Sequence, residues 1–351
     1  MVRVMVVFGG RSGEHEVSLA SARAITEALG NNGRHEVVPV GITREGRWIS
    51  SGKPMRELES RAGHLPGGSD LKVSSPPAST AEKLPAGLGA VDVVFPVLHG
   101  PYGEDGTIQG MLELAGVPYV GSGVLGSAAG MDKPTMKKIF AHHGLPQVAW
   151  VALTRKQWEE DKDGWAKEIE NSLGYPCFVK PANLGSSVGI GKAENSEELG
   201  SAIDEAAHHD RRIIVEEGID AREIEVSVLG NEDPEVSVPG EIAIKKEGFY
   251  DYKAKYVEGG MELIAPAPIP DETREEIQRI ASEAFEAIDA AGMARVDFFL
   301  ERGTDRLLLN EINTIPGFTP TSVYAELWAT SGLPYEKLLD RLVQLALERH
   351  G

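Results

Sequence analysis

Residues 1–42 read MVRVMVVFGGRSGEHEVSLASARAITEALGNNGRHEVVPVGI, and the order of their patterns decides the fold class. Residues 2–8 form a largely apolar run that ends at Gly9-Gly10. Such a run, followed by a tight turn, reads as a parallel strand buried on both faces. In residues 18–29, Leu19, Ala22, Ile25 and Leu29 recur on one side of a helix, with Gly30 as its stop. Residues 37–42 and 91–98 are further apolar runs of strand type. Strand, helix and strand in this order predict an α/β domain with a parallel sheet.

Outward from this segment, 351 residues exceed what one core normally organises, so two or three domains are expected. With 41% apolar residues, large cores can form. The net charge of −19 argues against nucleic acid and anionic membranes as partners. An anionic nucleotide would need lysines placed locally. The single cysteine, Cys177, excludes an intrachain disulfide and reads as a small buried side chain. No apolar run approaches the ~20 residues of a membrane span. The N-terminus reads as a first strand and not as a signal peptide, which makes the cytoplasm the expected compartment. Residues 50–90, rich in Gly, Pro and Ser, read as a surface excursion.

The expected units are 1–132, 133–219 and 220–351. In the second, strands at 176–180 and 212–216 enclose a helix at 196–207, with a Gly/Ser loop at 183–191. In the third, Ile224, Val226 and Val228 alternate as in a half-buried antiparallel strand. Thr273 and Glu276 suggest a capping box opening a helix striped with Ile277, Ile280, Ala281, Ala284 and Ile288. Strands at 294–300 and 307–313 follow. A closing helix carries Leu338, Leu339, Leu342, Val343 and Ala346.

The strongest chemical signal lies in ARVDFFL (294–300) and LLLNEIN (307–313). Alternation puts Arg295 and Asp297 on one face of the first strand, and Glu311 and Asn313 together on the second. If the two form a hairpin centred on Thr304, Asp297 faces Glu311 and Arg295 faces Asn313. Opposed Cβ atoms are then ~5 Å apart. Two carboxylates that close repel unless a cation sits between them. All-oxygen ligands with few protein donors suit Mg²⁺ shared with phosphates. A solvated sheet face is the alternative, and a one-residue bulge would break the register.

Other motifs exclude as much as they suggest. The 183–191 loop can turn backbone N–H groups toward an anion, but plain flexibility fits its composition equally well. It is not a Walker A loop, because Ile190 and Gly191 stand where glycine and lysine are required. The GGRSG of residues 9–13 misses G-x-G-x-x-G at Arg11 and Glu14, which disfavours a nicotinamide site. The acids of EHEVS (14–18) could simply cap a helix.

Taken together, GGRSGEHEVSLASA, HGPYGEDGTIQG, MDKPTMKK, FVKPANLGSSVG, FYDYKAKY, ARVDFFL and NEINTIPGFTPTS resemble the D-alanine–D-alanine ligases, in order and rough spacing and nearly end to end. The resemblance implies an ATP-grasp fold: an N-terminal parallel α/β domain, then two α+β domains that clamp ATP. It implies an ADP-forming ligase that makes D-alanyl-D-alanine through an acylphosphate, for peptidoglycan precursors and thus cell wall and cell shape. Lys133, Lys180, Ser187 and Asn310 would lie at the nucleotide. Glu216, Glu217 and Ile219 would read the adenine edge, and Glu223 would hold the ribose. Asp297, Glu311 and Asn313 would hold two Mg²⁺ ions, with Mn²⁺ as a substitute and a monovalent cation as a further activator.

On the substrate side the resemblance implies that Glu14 pairs with the ammonium of the first D-alanine, near His99. Ser322 and Val323 would hold the carboxylate of the second. Arg295 and Gly317 would form the oxyanion site, and Lys255 would reach the γ-phosphate. Tyr256 and Ser186 would link with Glu14 under a loop at 246–260. For His99 a purely structural role is the alternative. A homodimer through the N-terminal domain is implied. Sibling ligases using D-lactate or D-serine are the nearest rivals; Tyr256 argues against the ester-forming one.

Overall fold

A computed structural model describes residues 1–61, 90–185, 189–244 and 261–351. In the first part, β1 (Val2–Gly9), α1 (His15–Asn31), β2 (His35–Ile42), β3 (Trp48–Ile49), α2 (Pro54–Arg61), β4 (Val93–Val97), α3 (Thr107–Ala115) and α4 (Val124–Met131) follow one another. The sheet order is β3-β2-β1-β4. β1 runs parallel to both β2 and β4, as the alternation of elements requires. Its two faces are both covered, which explains its unbroken apolar run. Val4, Val6 and Phe8 pack with Leu19, Ile25 and Leu29. Met5 and Val7 pack with Ile108, Leu112 and Tyr119. Helix α1 begins at His15, three residues before the expected start at Ser18.

The central part contains α5 (Lys133–His142), β5 (Trp150–Thr154), α6 (Arg155–Glu160), α7 (Lys162–Leu173), β6 (Cys177–Pro181), β7 (Gly191–Ala193), α8 (Ser196–His209) and β8 (Arg212–Glu217). Its sheet, β5-β8-β6-β7, is antiparallel throughout. Cys177 is buried in β6, and burial pushes its thiol pKa up to about 11, so it is a packing residue.

The last part comprises β9 (Ala221–Gly230), β10 (Glu235–Val236), β11 (Gly240–Ile244), β12 (Met261–Ile264), α9 (Asp271–Ala287), β13 (Gly292–Glu301), β14 (Leu307–Asn313), α10 (Val323–Thr330) and α11 (Tyr335–His350). Its antiparallel sheet runs β12-β11-β9-β13-β14, with β10 paired to β9. Val226, Val228, Ala294 and Val296 face α9 through Ile277, Ile280, Ala281 and Phe285. Helix α5 joins this same core through Met136 and Phe140. The stripe of α11 packs back onto β1 and α1.

The expected capping box is not formed. Helix α9 already starts at Asp271, behind Pro270, and no side chain caps it. Thr273 therefore lies inside the helix, and Glu276 pairs with Arg279 at 2.7 Å. Asp271 and Glu272 in the first turn complement the helix dipole.

Candidate active site between two antiparallel sheets

The register of β13 and β14 aligns Arg295 with Asn313 and Asp297 with Glu311, as alternation and a hairpin imply. The pairing is not uniform, however. Beyond Asp297 it shifts, so that Phe298 faces Leu309 and Leu300 faces Leu307. Asn310 is the extra residue of a β-bulge. Without it, the register near the turn would carry Glu311 to the apolar face, because a one-residue slip inverts every side chain. The bulge brings the acid into the cleft.

Strand β9 extends this polar face, with Glu225 directly opposite Asp297. The Arg295 guanidinium lies between them. It donates from Nε to Asp297 Oδ1 and from Nη2 to Oδ2, both at 2.7 Å, and its Nε is 2.9 Å from Glu225 Oε2. Burial disfavours the guanidinium charge, but Asp297 and Glu225 outweigh burial and hold its pKa above the ordinary arginine value. Asn313 Nδ2 donates to Asp297 Oδ2 at 3.1 Å. Three acids thus stand in a row across three strands, with one cation already among them.

Helix α5 and the facing sheet supply lysines. Lys133 donates to the Leu184 carbonyl at 2.9 Å and lies 3.7 Å from Glu311. Lys180 is ion-paired with Glu216. Lys137, one helical turn after Lys133, is 2.9 Å from the other Glu216 oxygen. Burial alone would raise the Glu216 pKa, but the two lysines override it and hold it at about 2. The start of the 183–191 loop is fixed: Asn183 donates from its backbone to Asp210 (2.9 Å) and from its side chain to Asp132 (3.0 Å).

Two cavities adjoin these groups, the smaller between the two sheets and the larger between the N-terminal part and the third sheet. One, of about 470 Å³, is lined by Lys133, Lys180, Glu216, Glu217, Ile219, Glu223, Asp297, Asn310 and Glu311. The other, of about 770 Å³, is lined by Glu14, His99, Glu104, Arg295, Asn313, Gly317, Ser322 and Val323. Lys133, Gly185, Glu225 and Glu311 line both, so the chambers meet beside the acid row.

Glu14 is the residue before α1, yet its side chain makes no capping bond. It belongs to the larger chamber, where the approach is close: a Cβ on Gly100 would lie 2.9 Å from Glu14 Oε2, and one on Gly185 3.0 Å. His99 is buried, and its Nδ1–H donates to the Ile315 carbonyl at 2.9 Å. Its Nε2 has no hydrogen-bond partner among the described residues. Burial pushes its pKa down and keeps the ring neutral. Ser322 caps the loop before α10: its Oγ accepts from Thr319 N at 2.9 Å. Gly317 is its neighbour, with a would-be Cβ 3.5 Å from that Oγ. The N-terminus of α10 therefore borders the larger chamber. Ser186, Ser187, Lys255 and Tyr256 lie outside the described residues.

Three site residues are not marked by the sequence patterns: Glu225, which the register of β9 places opposite Asp297, and two that lie within the quoted motifs. Glu104 accepts from Gly100 N (2.6 Å) and Ile315 N (3.2 Å), tying the first sheet's loop to the loop after β14. Burial, with Glu14 nearby, pushes its pKa up to about 8. Lys137 is the other, and its i, i+4 spacing from Lys133 was the available signal.

Two antiparallel sheets clamping a lysine-lined cleft, behind an N-terminal parallel domain, define a ligase of the ATP-grasp class. A family model described as the D-ala D-ala ligase N-terminus matches residues 3–122, and one described as the C-terminus matches residues 139–344. The chain belongs to the D-alanine–D-alanine ligase family, whose members are ATP-dependent, ADP-forming ligases. It is 51% identical to the D-alanine–D-alanine ligase of Thermoanaerobacter sp. (strain X514), over 99% of this chain and 97% of that one. The corresponding protein of Bacillus velezensis is 50% identical, over 98% of each. Among solved structures, the D-alanine–D-alanine ligase of Coxiella burnetii matches with a TM-score of 0.79 and 34% identity, covering 100% of this chain and 96% of that one. The VanG D-Ala:D-Ser ligase of Enterococcus faecalis matches with 0.81 and 36%, covering 98% and 99%.

Proposed function

We propose that the chain joins two molecules of D-alanine at the expense of ATP, with the nucleotide in the smaller chamber and the amino acids in the larger. The observation that carries this reading is the shared wall of the chambers. Lys133 and Glu311 border both, so a terminal phosphate and a substrate carboxylate could meet there.

In this reading Lys133 and Lys180 neutralise phosphate charge, Glu216, Glu217 and Ile219 read the adenine edge, and Glu223 holds the ribose. Asn310, at the bulge, borders the nucleotide. Among the described residues no three His, Cys, Asp or Glu side chains are grouped to hold a metal by themselves. Asp297, Glu311 and Asn313 offer only oxygen donors on one face, which fits Mg²⁺ or Mn²⁺ shared with phosphate oxygens. Bound there, the ions would neutralise the transferring phosphoryl group.

The first D-alanine is held through its ammonium by Glu14, beside His99. Its carboxylate oxygen attacks the γ-phosphorus, and ADP departs. The amine of the second D-alanine, whose carboxylate rests on Ser322 and the N–H groups at Val323, then attacks the acyl carbon. Arg295 and the Gly317 N–H meet the oxyanion. Collapse expels inorganic phosphate and leaves the peptide bond. By the family resemblance, Ser187 would lie at the nucleotide, Lys255 would reach the γ-phosphate, and Ser186 and Tyr256 would link with Glu14; all four lie outside the described residues.

The product would serve peptidoglycan synthesis in the cytoplasm, and the active form would be a homodimer through the N-terminal domain. The 36% identity to the VanG D-Ala:D-Ser ligase keeps D-serine as a second reading for the acceptor. Phosphate release with identification of the product, using D-alanine, D-serine or D-lactate as acceptor, tests the choice. D-Alanyl-D-alanine as the main product is expected; a main product containing D-serine or D-lactate would overturn it.

A further inference from the structure

Lys133 and Lys137 share one face of α5, four residues apart, but reach different places. Lys133 borders both chambers. Lys137 borders neither. It is 1% exposed and stands behind Glu216, which is 2% exposed and lines the nucleotide chamber. Its Nζ lies 2.9 Å from Glu216 Oε1, on β8 of the central sheet. The same Nζ is 3.4 Å from the carbonyl of Asn310, the bulge residue of β14 in the facing sheet. Meanwhile the apolar side of α5, Met136 and Phe140, is fixed in the core beneath the third sheet. One buried cation therefore touches both walls of the cleft while its helix is locked in place.

A buried charge persists only when it is paired. Here the pair sets a direction as well. Glu216 Oε1 is committed to Lys137 and Oε2 to Lys180, so neither the carboxyl plane nor its ionised state is free to change. We propose that Lys137 is a positioning residue for nucleobase selection: it holds Glu216 as a fixed, ionised acceptor at the end of the nucleotide chamber. This rests on the reading above in which Glu216 meets the adenine edge. Adenine presents a 6-amino donor to such an acceptor. Hypoxanthine presents a 6-oxo acceptor, which an ionised carboxylate repels. Without Lys137, Oε1 loses its partner and the discrimination weakens, although Lys137 touches no substrate.

The test compares kcat/KM for ATP and for inosine triphosphate in four proteins: wild type, Lys137→Met, Glu216→Gln and the double variant. Wild type is expected to prefer ATP. Glu216→Gln should lose about tenfold of that preference, the scale of one hydrogen bond made or lost. Lys137→Met should lose a similar factor, through KM, with kcat at saturating ATP within about threefold of wild type. The double variant should show no further loss beyond Glu216→Gln, because the lysine acts through the acid. Should Lys137→Met not fold, Lys137→Gln replaces it, with a weakened preference for ATP expected and an unchanged preference overturning the positioning role. Retention of the wild-type preference by Lys137→Met, or a further loss in the double variant, would overturn the positioning role and leave the base site standing. An unchanged preference in Glu216→Gln would overturn the base site itself.

Discussion

Replacing Arg295 by methionine removes the cation that bridges Asp297 and Glu225 and keeps much of the stem volume. Arg295 makes two bonds of 2.7 Å to Asp297, and its Nε is 2.9 Å from Glu225. Asp297 is 8% exposed and Glu225 7%, and the two are directly opposed on adjacent strands. Without the guanidinium they face each other, with Glu311 beside them. Breaking a buried ion pair from one side costs about 3–5 kcal/mol, so the variant should lose roughly that much stability. Losing one oxyanion donor costs ~2.7–4 kcal/mol of transition-state binding, so turnover should fall by about 100- to 1000-fold. The assay is urea unfolding with and without Mg²⁺ and no nucleotide, alongside turnover. Because the variant's acid row is more negative, Mg²⁺ should stabilise it more than it stabilises wild type. A stability loss below ~1 kcal/mol together with near-normal turnover would make Arg295 an ordinary surface cation with no part in the oxyanion site.

Further perturbations separate the proposed roles. Glu311→Gln keeps shape and removes a charge, so turnover should collapse at matched Mg²⁺ while the unfolding curve stays intact; equal activity would remove Glu311 from the acid row's chemistry. Glu14→Gln should raise the Michaelis constant for D-alanine far more than that for ATP, and thermal stability should hardly change, because the side chain caps no helix; a loss of stability alone would restore the capping role. Glu104 has a native pKa of about 8 against an ordinary 4.5, so the folded state favours its protonated form. Its contribution to stability is then full below about pH 4.5 and is lost as pH rises toward 8. The ceiling is about 5 kcal/mol; the side chain is only partly buried, so about 1–2 kcal/mol is expected after solvent screening. Glu104→Gln should flatten this slope in pH-dependent urea melts, and an unchanged slope would assign it to another group.

Much of the fold is written in local patterns. The apolar run of β1, the stripe of α1 and the stripe of α11 each follow from one periodicity, and each is buried as that periodicity requires. The acid pair was legible in part: alternation puts Asp297 and Glu311 on the polar faces of their strands, but the bulge is what opposes them. The bulge at Asn310 was not, because it depends on how the two strands meet and not on either strand alone. Glu104 was hidden by distance: the amide it binds at Ile315 is 211 residues away in sequence. Lys137 looked like one more helix lysine until Glu216 and Asn310 surrounded it. The start of α9 was misplaced because a Thr-x-x-Glu pattern is common, whereas Pro270 and two acids opened that helix earlier.

Oxygen labelling decides whether the first substrate's carboxylate is activated by phosphoryl transfer. D-Alanine carrying ¹⁸O in both carboxylate oxygens is incubated with ATP and Mg²⁺, and the released phosphate is examined by mass spectrometry. Attack of the carboxylate on the γ-phosphorus, followed by displacement at the acyl carbon, carries one labelled oxygen into every phosphate released with a dipeptide. One ¹⁸O per inorganic phosphate, ADP without label and an equal amount of dipeptide are expected. Dipeptide accompanied by unlabelled phosphate, or by label in AMP, would contradict it.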